Sequence, residues 1–266
     1  MYTAANNLYV RGDWQGTVAA VNSYFDKFNT KPIYDKQARF IRAQSLVKLN
    51  KGDYLADFAG PLGQPSELTH ENIENLKEKK IIFIAGGVGA APVYPQVKWL
   101  RENDIDVDVI VGGKNKGYLL LTDEMKALGA KVYTCTDDGS AGYKGLVTGL
   151  LKELIDAGSN YDVVIAIGPM IMMKFVAKLT KEYNLKTIVS LNTLMVDGTG
   201  MCGACRVTVG DSTKFACVDG PEFDGHLVNF DEAMRRQTLY KSEEGRSLVA
   251  KEKEEGHKCS CKGGND

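Results

Sequence analysis

Between residues 80 and 192 the hydrophobic and polar positions change period in a regular way. Short β-branched runs, KIIFIA, VDVIVG, KVYTC, YDVVIAIG and KTIVSL, alternate with stretches whose apolar residues recur at helical spacing: PVYPQVKWLREN, TDEMKALG, KGLVTGLLKELIDAG and PMIMMKFVAKLTKEY. Near-continuous apolar runs belong to strands buried on both faces. Five such strands with four intervening helices predict an α/β fold, a doubly wound parallel five-stranded sheet, because right-handed crossovers leave few other topologies.

After residue 192 the pattern breaks. A glycine-rich loop, MVDGTGMCGACRV, precedes RVTVG and TKFACV, which predict a hairpin turning at Asp211 and Ser212. Residues 226–255 predict one or two helices, and the terminal HKCSCKGGND a loose polar tail. The first 45 residues hold helical-looking segments such as GTVAAVNSYFDKF, without the alternation of an antiparallel barrel. From Val47 the stretch KGDYLADFAGPLGQPSE reads as a short strand and a turn-rich loop. The expected organisation is an N-terminal region (1–70), an α/β domain (71–192), a cysteine-bearing module (193–225) and a C-terminal helix and tail (226–266).

Two stretches carry candidate chemistry. In KIIFIAGGVGAAPVYP a strand runs into Gly86, Gly87, Gly89, Ala90 and Pro92, with a helix expected to begin at the proline. Such a turn either lets a pyrophosphate approach the backbone and the helix N-terminus or is simply a tight structural turn. Polar, glycine-rich loops end the later strands on the same edge: GGKNKG, TDDGSAG and GPM, the last holding Gly168 and Pro169. Ligands of open α/β sheets bind at that edge. Asp137 and Asp138 either hold ribose hydroxyls or cap the following turn. Their acidity leans toward NAD over NADP, whose 2′-phosphate they would repel. Lys114 either meets a phosphate or is merely solvated. Cys135 is expected to be a small buried residue and no nucleophile, and Met170, Met172 and Met173 to be helix packing.

The second stretch fills the frame D-x4-C-x2-C-x11-C with Asp197, Cys202, Cys205 and Cys217. A plant-type 2Fe-2S loop has C-x4-C-x2-C and a distant fourth cysteine. The aspartate thus stands where the first thiolate would, and a carboxylate is a harder, oxygen donor to iron. Gly198, Gly200 and Gly203 allow the backbone to curl and aim N–H groups inward. A structural zinc knuckle and unliganded core cysteines are the competing readings, although His226 fits no zinc spacing. His257, Cys259 and Cys261 in the tail are expected to carry no metal.

Composition narrows the picture further. With 33 Lys plus Arg against 34 Asp plus Glu, the chain has no basic excess to attract nucleic acid or an anionic membrane. No apolar run is long enough for a bilayer and the start lacks the pattern of a signal peptide, so a cytoplasmic location is expected. Six cysteines in 266 residues, three of them crowded together, favour metal ligation over a disulfide framework.

Taken in order, GDYLADFAGPLGQPSE, AGGVGAAP, TDDGS, AIGPMIMM and the cysteine loop with FACVDGPEFDGH resemble the ferredoxin reductase-like flavoprotein subunits that feed electrons into larger partners, over residues 46–258. The family includes the dihydroorotate dehydrogenase B electron-transfer type and the small-subunit type of NADH-dependent reduced ferredoxin:NADP oxidoreductase, or sulfide dehydrogenase. The former implies an all-cysteine cluster and a Cys-Gly-Pro loop; Asp197 and Ile167-Gly168-Pro169 depart from both and match the latter.

The resemblance implies Asp197 as a cluster ligand, NAD(P)H in the α/β domain and FAD against Gly60, Pro61 and Leu62. KPIYDKQARF does not supply the family's flavin motif, so a remnant or altered FAD-type β-barrel is expected at the N-terminus, beside a small C-terminal 2Fe-2S hairpin module. The implied activity is electron transfer between NAD(P)H, FAD and a 2Fe-2S cluster, to or from a larger flavin and iron-sulfur subunit, with ferredoxin reached through the complex. The alternatives are a dihydroorotate dehydrogenase B electron-transfer subunit and a non-catalytic nucleotide-binding protein that has lost its flavin.

Overall fold

The structure, a computed structural model, describes residues 62–254. The chain divides into two compact units, Met1–Leu62 and Gly63–Asp266. Gly60 and Pro61, with most of the expected flavin region, lie outside the described residues, as do His257, Cys259 and Cys261. Leu62 is the first described residue.

In the second unit α1 (Ile73–Lys77) leads into β1 (Ile81–Gly86), α2 (Ala90–Glu102), β2 (Val107–Gly113) and α3 (Thr122–Ala127). Then come β3 (Lys131–Thr136), β4 (Tyr143–Lys144), α4 (Val147–Asp156), β5 (Val163–Ile167), α5 (Met170–Glu182) and β6 (Lys186–Ser190). The chain closes with β7 (Arg206–Val209), β8 (Ser212–Phe215), β9 (Glu222–Asp224), α6 (Phe230–Arg236) and α7 (Lys241–Glu254). The five expected strands are β1, β2, β3, β5 and β6, and the four expected helices are α2 to α5. Two short edge strands extend the sheet to seven, in the order β4-β3-β2-β1-β5-β6-β9, all parallel except β9 against β6.

The centre of the sheet is made by sequences with no polar position to spare. Every residue of β1 and of β5 is buried. Within β1 the pleat still sorts side chains: Ile81, Phe83 and Ala85 pack toward Val93 and Val97 of α2, while Ile82 and Ile84 pack with Leu151 of α4 and Met173 of α5. Each such side chain contributes about 1.5–3 kcal/mol by leaving water. Strand order reverses beside β1, between β2 and β5, which opens a crevice at the strands' carboxyl ends.

Two local expectations are corrected. Helix α2 begins at Ala90, ahead of Pro92, after a short 3-10 turn over Gly87–Gly89. Pro92 still lies in the first turn, where a missing N–H costs nothing. The β7–β8 hairpin turns at Gly210 and Asp211, since Val209 pairs with Ser212. Gly210 takes a φ of 59° at the first central position, where II′ hairpins favour glycine.

The cysteine-bearing segment is not packed apart from the α/β sheet. After the hairpin the chain returns as β9 onto β6, and Cys205, Val207, Cys217 and Phe223 share one core with Met173 and Val176 of α5.

Candidate functional site

A cleft of about 500 Å³ opens at the carboxyl ends of β1, β2 and β3. Its floor is glycine: Gly86 and Gly87 after β1, Gly112 and Gly113 ending β2. Pro169 and Asp137 stand on its lining, as does Lys114, and Tyr118, Leu146, Ile171, Met172 and Phe175 supply an apolar wall. Of the residues expected here, Gly86, Gly87, Asp137 and Pro169 reach the cleft; Gly89, Ala90, Pro92, Asp138 and Gly168 do not line it.

The remaining glycines act one layer behind. A Cβ on Gly89 would overlap the Ile167 carbonyl, so only glycine lets the start of α2 approach the end of β5 so closely. A Cβ on Gly168 would come 3.0 Å from Gly86 Cα. Gly87 differs: its φ is 53°, and a Cβ there would meet nothing within 4 Å. Ala90 is buried under the turn and Pro92 is exposed.

The two aspartates divide their roles. Asp138 accepts a hydrogen bond from the Ser140 N–H at 2.9 Å, and Ser140 Oγ in turn accepts from the Lys116 N–H at 2.8 Å. The Ser140 hydroxyl and N–H hold the Asp138 carboxyl below the usual range. Asp138 therefore caps its own turn and ties the β3 loop to the β2 loop. Asp137 has its backbone pinned, its N–H donating to the Gly113 carbonyl at 3.2 Å, and its side chain free on the cleft.

Cys135 is 1% exposed, and its thiol donates to the Gly145 carbonyl at 2.8 Å. Burial, then the charge of Asp137, push it up to about 11, so it is no nucleophile at neutral pH. Met170 and Met173 are buried packing, as expected; Met172 instead lies over Gly86 and Gly168 and lines the cleft.

The cysteine loop forms two pairs. The Cys205 and Cys217 sulfurs lie 3.2 Å apart, both buried, and both are free thiols. Burial first, then the neighbouring Cys205 thiol, push Cys217 above the usual thiol range. On the exposed side Asp197 accepts from the Thr199 N–H at 2.7 Å and from the Cys202 N–H at 2.8 Å. Those two backbone donors, Thr199 foremost, hold its carboxyl below the usual range. Gly198, Gly200 and Gly203 all take left-handed φ, 77°, 86° and 66°, as the curled loop requires.

The pairs do not converge on one point: among the described residues no group of three or more His, Cys, Asp or Glu side chains could hold a single metal ion. A zinc knuckle gathers four donors on one centre. One buried pair of sulfurs, with a third cysteine and a carboxylate on the rim, is the donor set the loop offers.

Several contributors were not legible from the sequence. Arg236 of α6 donates from Nη2 to the Gly203 and Ala204 carbonyls, at 2.9 and 3.2 Å, inside the Cys202–Cys205 turn. Gln64 N–H donates to the Gly220 carbonyl at 2.6 Å, its Nε2 donates to the Val218 carbonyl at 2.9 Å, and the Ser66 hydroxyl donates to Glu222 at 2.7 Å. The segment GQPS is thus fastened to the return of the cysteine loop. These contacts span more than 30 or 150 positions and leave no local period.

Comparison with known proteins agrees with this division of labour. The family described as "Oxidoreductase NAD-binding domain" matches residues 83–178, and "Iron-sulfur cluster binding domain of dihydroorotate dehydrogenase B" matches 192–229. A Thermotoga maritima homolog of the dihydroorotate dehydrogenase B (NAD(+)) electron transfer subunit is 46% identical over 73% of this chain and 66% of its own length. The Clostridium perfringens dihydroorotate dehydrogenase B (NAD(+)) electron transfer subunit is 32% identical over 70% of each chain. A chain from the structure of NADH-dependent reduced ferredoxin-NADP oxidoreductase, described for flavin-based electron bifurcation, is 39% identical, with a TM-score of 0.66 over 81% of this chain and 73% of that one. The chain spans just under two thirds of the Thermotoga relative.

Proposed function

Because the chain belongs to the family of dihydroorotate dehydrogenase B-type electron-transfer subunits, we propose that it relays electrons from a nicotinamide cofactor through FAD and a 2Fe-2S cluster to a larger flavin and iron-sulfur subunit. The observation that carries the relay is the pair of buried thiols, Cys205 and Cys217, 3.2 Å apart beneath a loop that also presents Asp197 and Cys202. When bound, the nicotinamide would supply a hydride, the flavin would take up its two electrons and its proton and release the electrons singly, and the cluster would accept them one at a time.

The chain's own residues position these groups. Gly86 and Gly87 let a pyrophosphate come close to the backbone at the start of α2. The Asp137 carboxylate accepts from ribose hydroxyls, and its charge disfavours a 2′-phosphate, which points to NADH. Gly168 and Pro169 bring the end of β5 against Gly86 and set the cleft's inner wall. Asp197, Cys202, Cys205 and Cys217 hold the cluster, with N–H groups of the glycine-rich backbone turned toward sulfur. The Ala204 N–H, which donates to Cys202 Sγ at 3.4 Å, is one such contact.

An outward face supports the partner. Met195, Val196, Met201 and Val218 are exposed around the cysteine loop, Met201 at 89%, and apolar side chains grouped in this way mark interaction surfaces. Among the described residues no helix is long and apolar enough to cross a membrane.

The test is the content of the purified full chain, prepared without oxygen. Iron and acid-labile sulfide near two of each per chain, flavin released on denaturation and bleaching of the visible spectrum by NADH are expected. Stoichiometric zinc with neither iron nor sulfide would establish the knuckle reading instead.

A further inference from the structure

We propose that Arg236 is a positioning residue for the cluster: it turns two consecutive peptide planes of the Cys202–Cys205 turn so that their N–H groups face the sulfurs, and thereby raises the reduction potential. This rests on the cluster reading above and adds a residue that carries no ligand atom.

The geometry is simple. In a trans peptide the C=O and the following N–H point to opposite sides of the chain. Arg236 Nη2 donates to Gly203 O and to Ala204 O, at 2.9 and 3.2 Å, and so draws both carbonyls to the α6 side of the turn. The N–H groups of the same two planes, those of Ala204 and Cys205, must then face away from α6. For the first plane the outcome is visible: Ala204 N–H donates to Cys202 Sγ at 3.4 Å. The guanidinium, together with the Arg206 N–H that donates to the Gly203 carbonyl at 3.3 Å, therefore sets the direction in which the dipoles of both peptides inside the turn point.

A second observation is that the side chain is held here at a cost. Arg236 Nε is buried and has no hydrogen-bond partner among the described residues. An orphaned donor on a cation is costly, and a lysine or glutamine reaching the same carbonyls would not bury that N–H. Both bonds leave the one nitrogen Nη2, whose two N–H groups are fixed in the guanidinium plane, whereas the N–H groups of an ammonium rotate freely. Arg236 lies in the last turn of α6, whose Asn229 cap and buried Phe230 and Ala233 fix the helix against the body.

Both effects have the same sign. N–H donors to sulfur and a nearby positive charge stabilise the more negative, reduced cluster, and hydrogen bonds to the sulfurs are among the levers that set iron-sulfur potentials. Without Arg236 the Ala204 carbonyl loses this bond, the Gly203 carbonyl keeps only the Arg206 N–H at 3.3 Å, and the charge is gone, so the reduced form loses support.

The experiment is a potentiometric titration of the full chain followed by electron paramagnetic resonance, on wild type, Arg236→Gln and Arg236→Lys, with iron and sulfide measured on each sample. At the potential that half-reduces wild type, Arg236→Gln is expected to show a reduced-to-oxidised ratio several-fold lower. Arg236→Lys, which keeps the charge but not the planar pair of N–H groups, is expected to fall between the two. Arg236→Gln titrating with wild type at equal iron content overturns the proposal. If Arg236→Gln does not retain iron, Arg236→Lys decides: a midpoint below wild type supports the proposal, and an unchanged one overturns it. Wild type lacking iron and sulfide is a different failure, that of the cluster reading itself.

Discussion

Asp197 shows how one side chain fits two accounts. Its carboxylate accepts from the Thr199 and Cys202 N–H groups, which is what a loop cap does, yet it also occupies the first ligand position of the cysteine frame. Asp197→Cys and Asp197→Ala separate the two. If Asp197 is a ligand, cysteine keeps four-fold ligation and makes it all-thiolate, so Asp197→Cys is expected to keep full iron content with an altered paramagnetic spectrum, while Asp197→Ala loses iron or changes the spectrum of what remains. As a cap only, both variants would carry wild-type spectra. Two glycines make a companion test for the cleft. Gly89→Ala drives a Cβ into the Ile167 carbonyl and is expected to cost about 3 kcal/mol, at the upper end for overpacking, in thermal or urea unfolding. Gly87→Ala meets open space and pays only for its left-handed φ, about 1–2 kcal/mol, but places a methyl on the cleft floor; its larger effect is expected in the KM for NADH.

At the scale of elements, the loops after β2 and β3 divide into one part that folds and one that binds. Asp138→Ala removes the carboxylate that caps Ser140 and is expected to lower the melting temperature with little change in NADH affinity. Asp137→Ala is expected to do the reverse, raising the KM for NADH several-fold at unchanged melting temperature. Equal effects of the two on KM would remove the distinction. The strands and helices around these loops were legible for two reasons: IIFIA and VVIAI are short, β-branched apolar runs bounded by turn residues, as central strands are, and α2 to α5 repeat apolar positions every three or four residues. The short edges were not. β4 has two residues and β9 three, too few for any period, and both exist because neighbours offer an unpaired strand edge. Pairs of aspartates read alike in sequence, and only the Ser140 contact separates Asp138 from Asp137. Arg236 was illegible for a related reason, since its partners lie more than 30 positions away. The frame of Asp197 and three cysteines was readable because ligation needs fixed local spacing; its second support, from α6 and from Gln64, depends on the completed fold.

For the molecule as a whole, residues 68–234 are packed so that the two sites share core residues, and a single cooperative unit is expected. The thiols of Cys205 and Cys217 sit in the same apolar core as Met173 and Val176 of α5. That helix also carries Ile171, Met172 and Phe175 onto the wall of the nucleotide cleft. β9 completes the sheet from the cysteine side, and Glu222 on it accepts from both Ser66 and Gln96 of α2. Anything that binds the native state only adds to its stability by mass action, so NADH at about a hundred times its Kd contributes about 2.7 kcal/mol. For a unit of this size that is a rise of roughly 5–10 °C in melting temperature. Because the core is shared, the same transition must also respond to iron. Calorimetry is expected to show one main transition that NADH moves up and that extraction of iron by a chelator moves down. Two transitions, one answering only to NADH and the other only to the chelator, would show that the cysteine segment folds alone, and the packing of Cys205 against α5 would then be a contact without thermodynamic consequence.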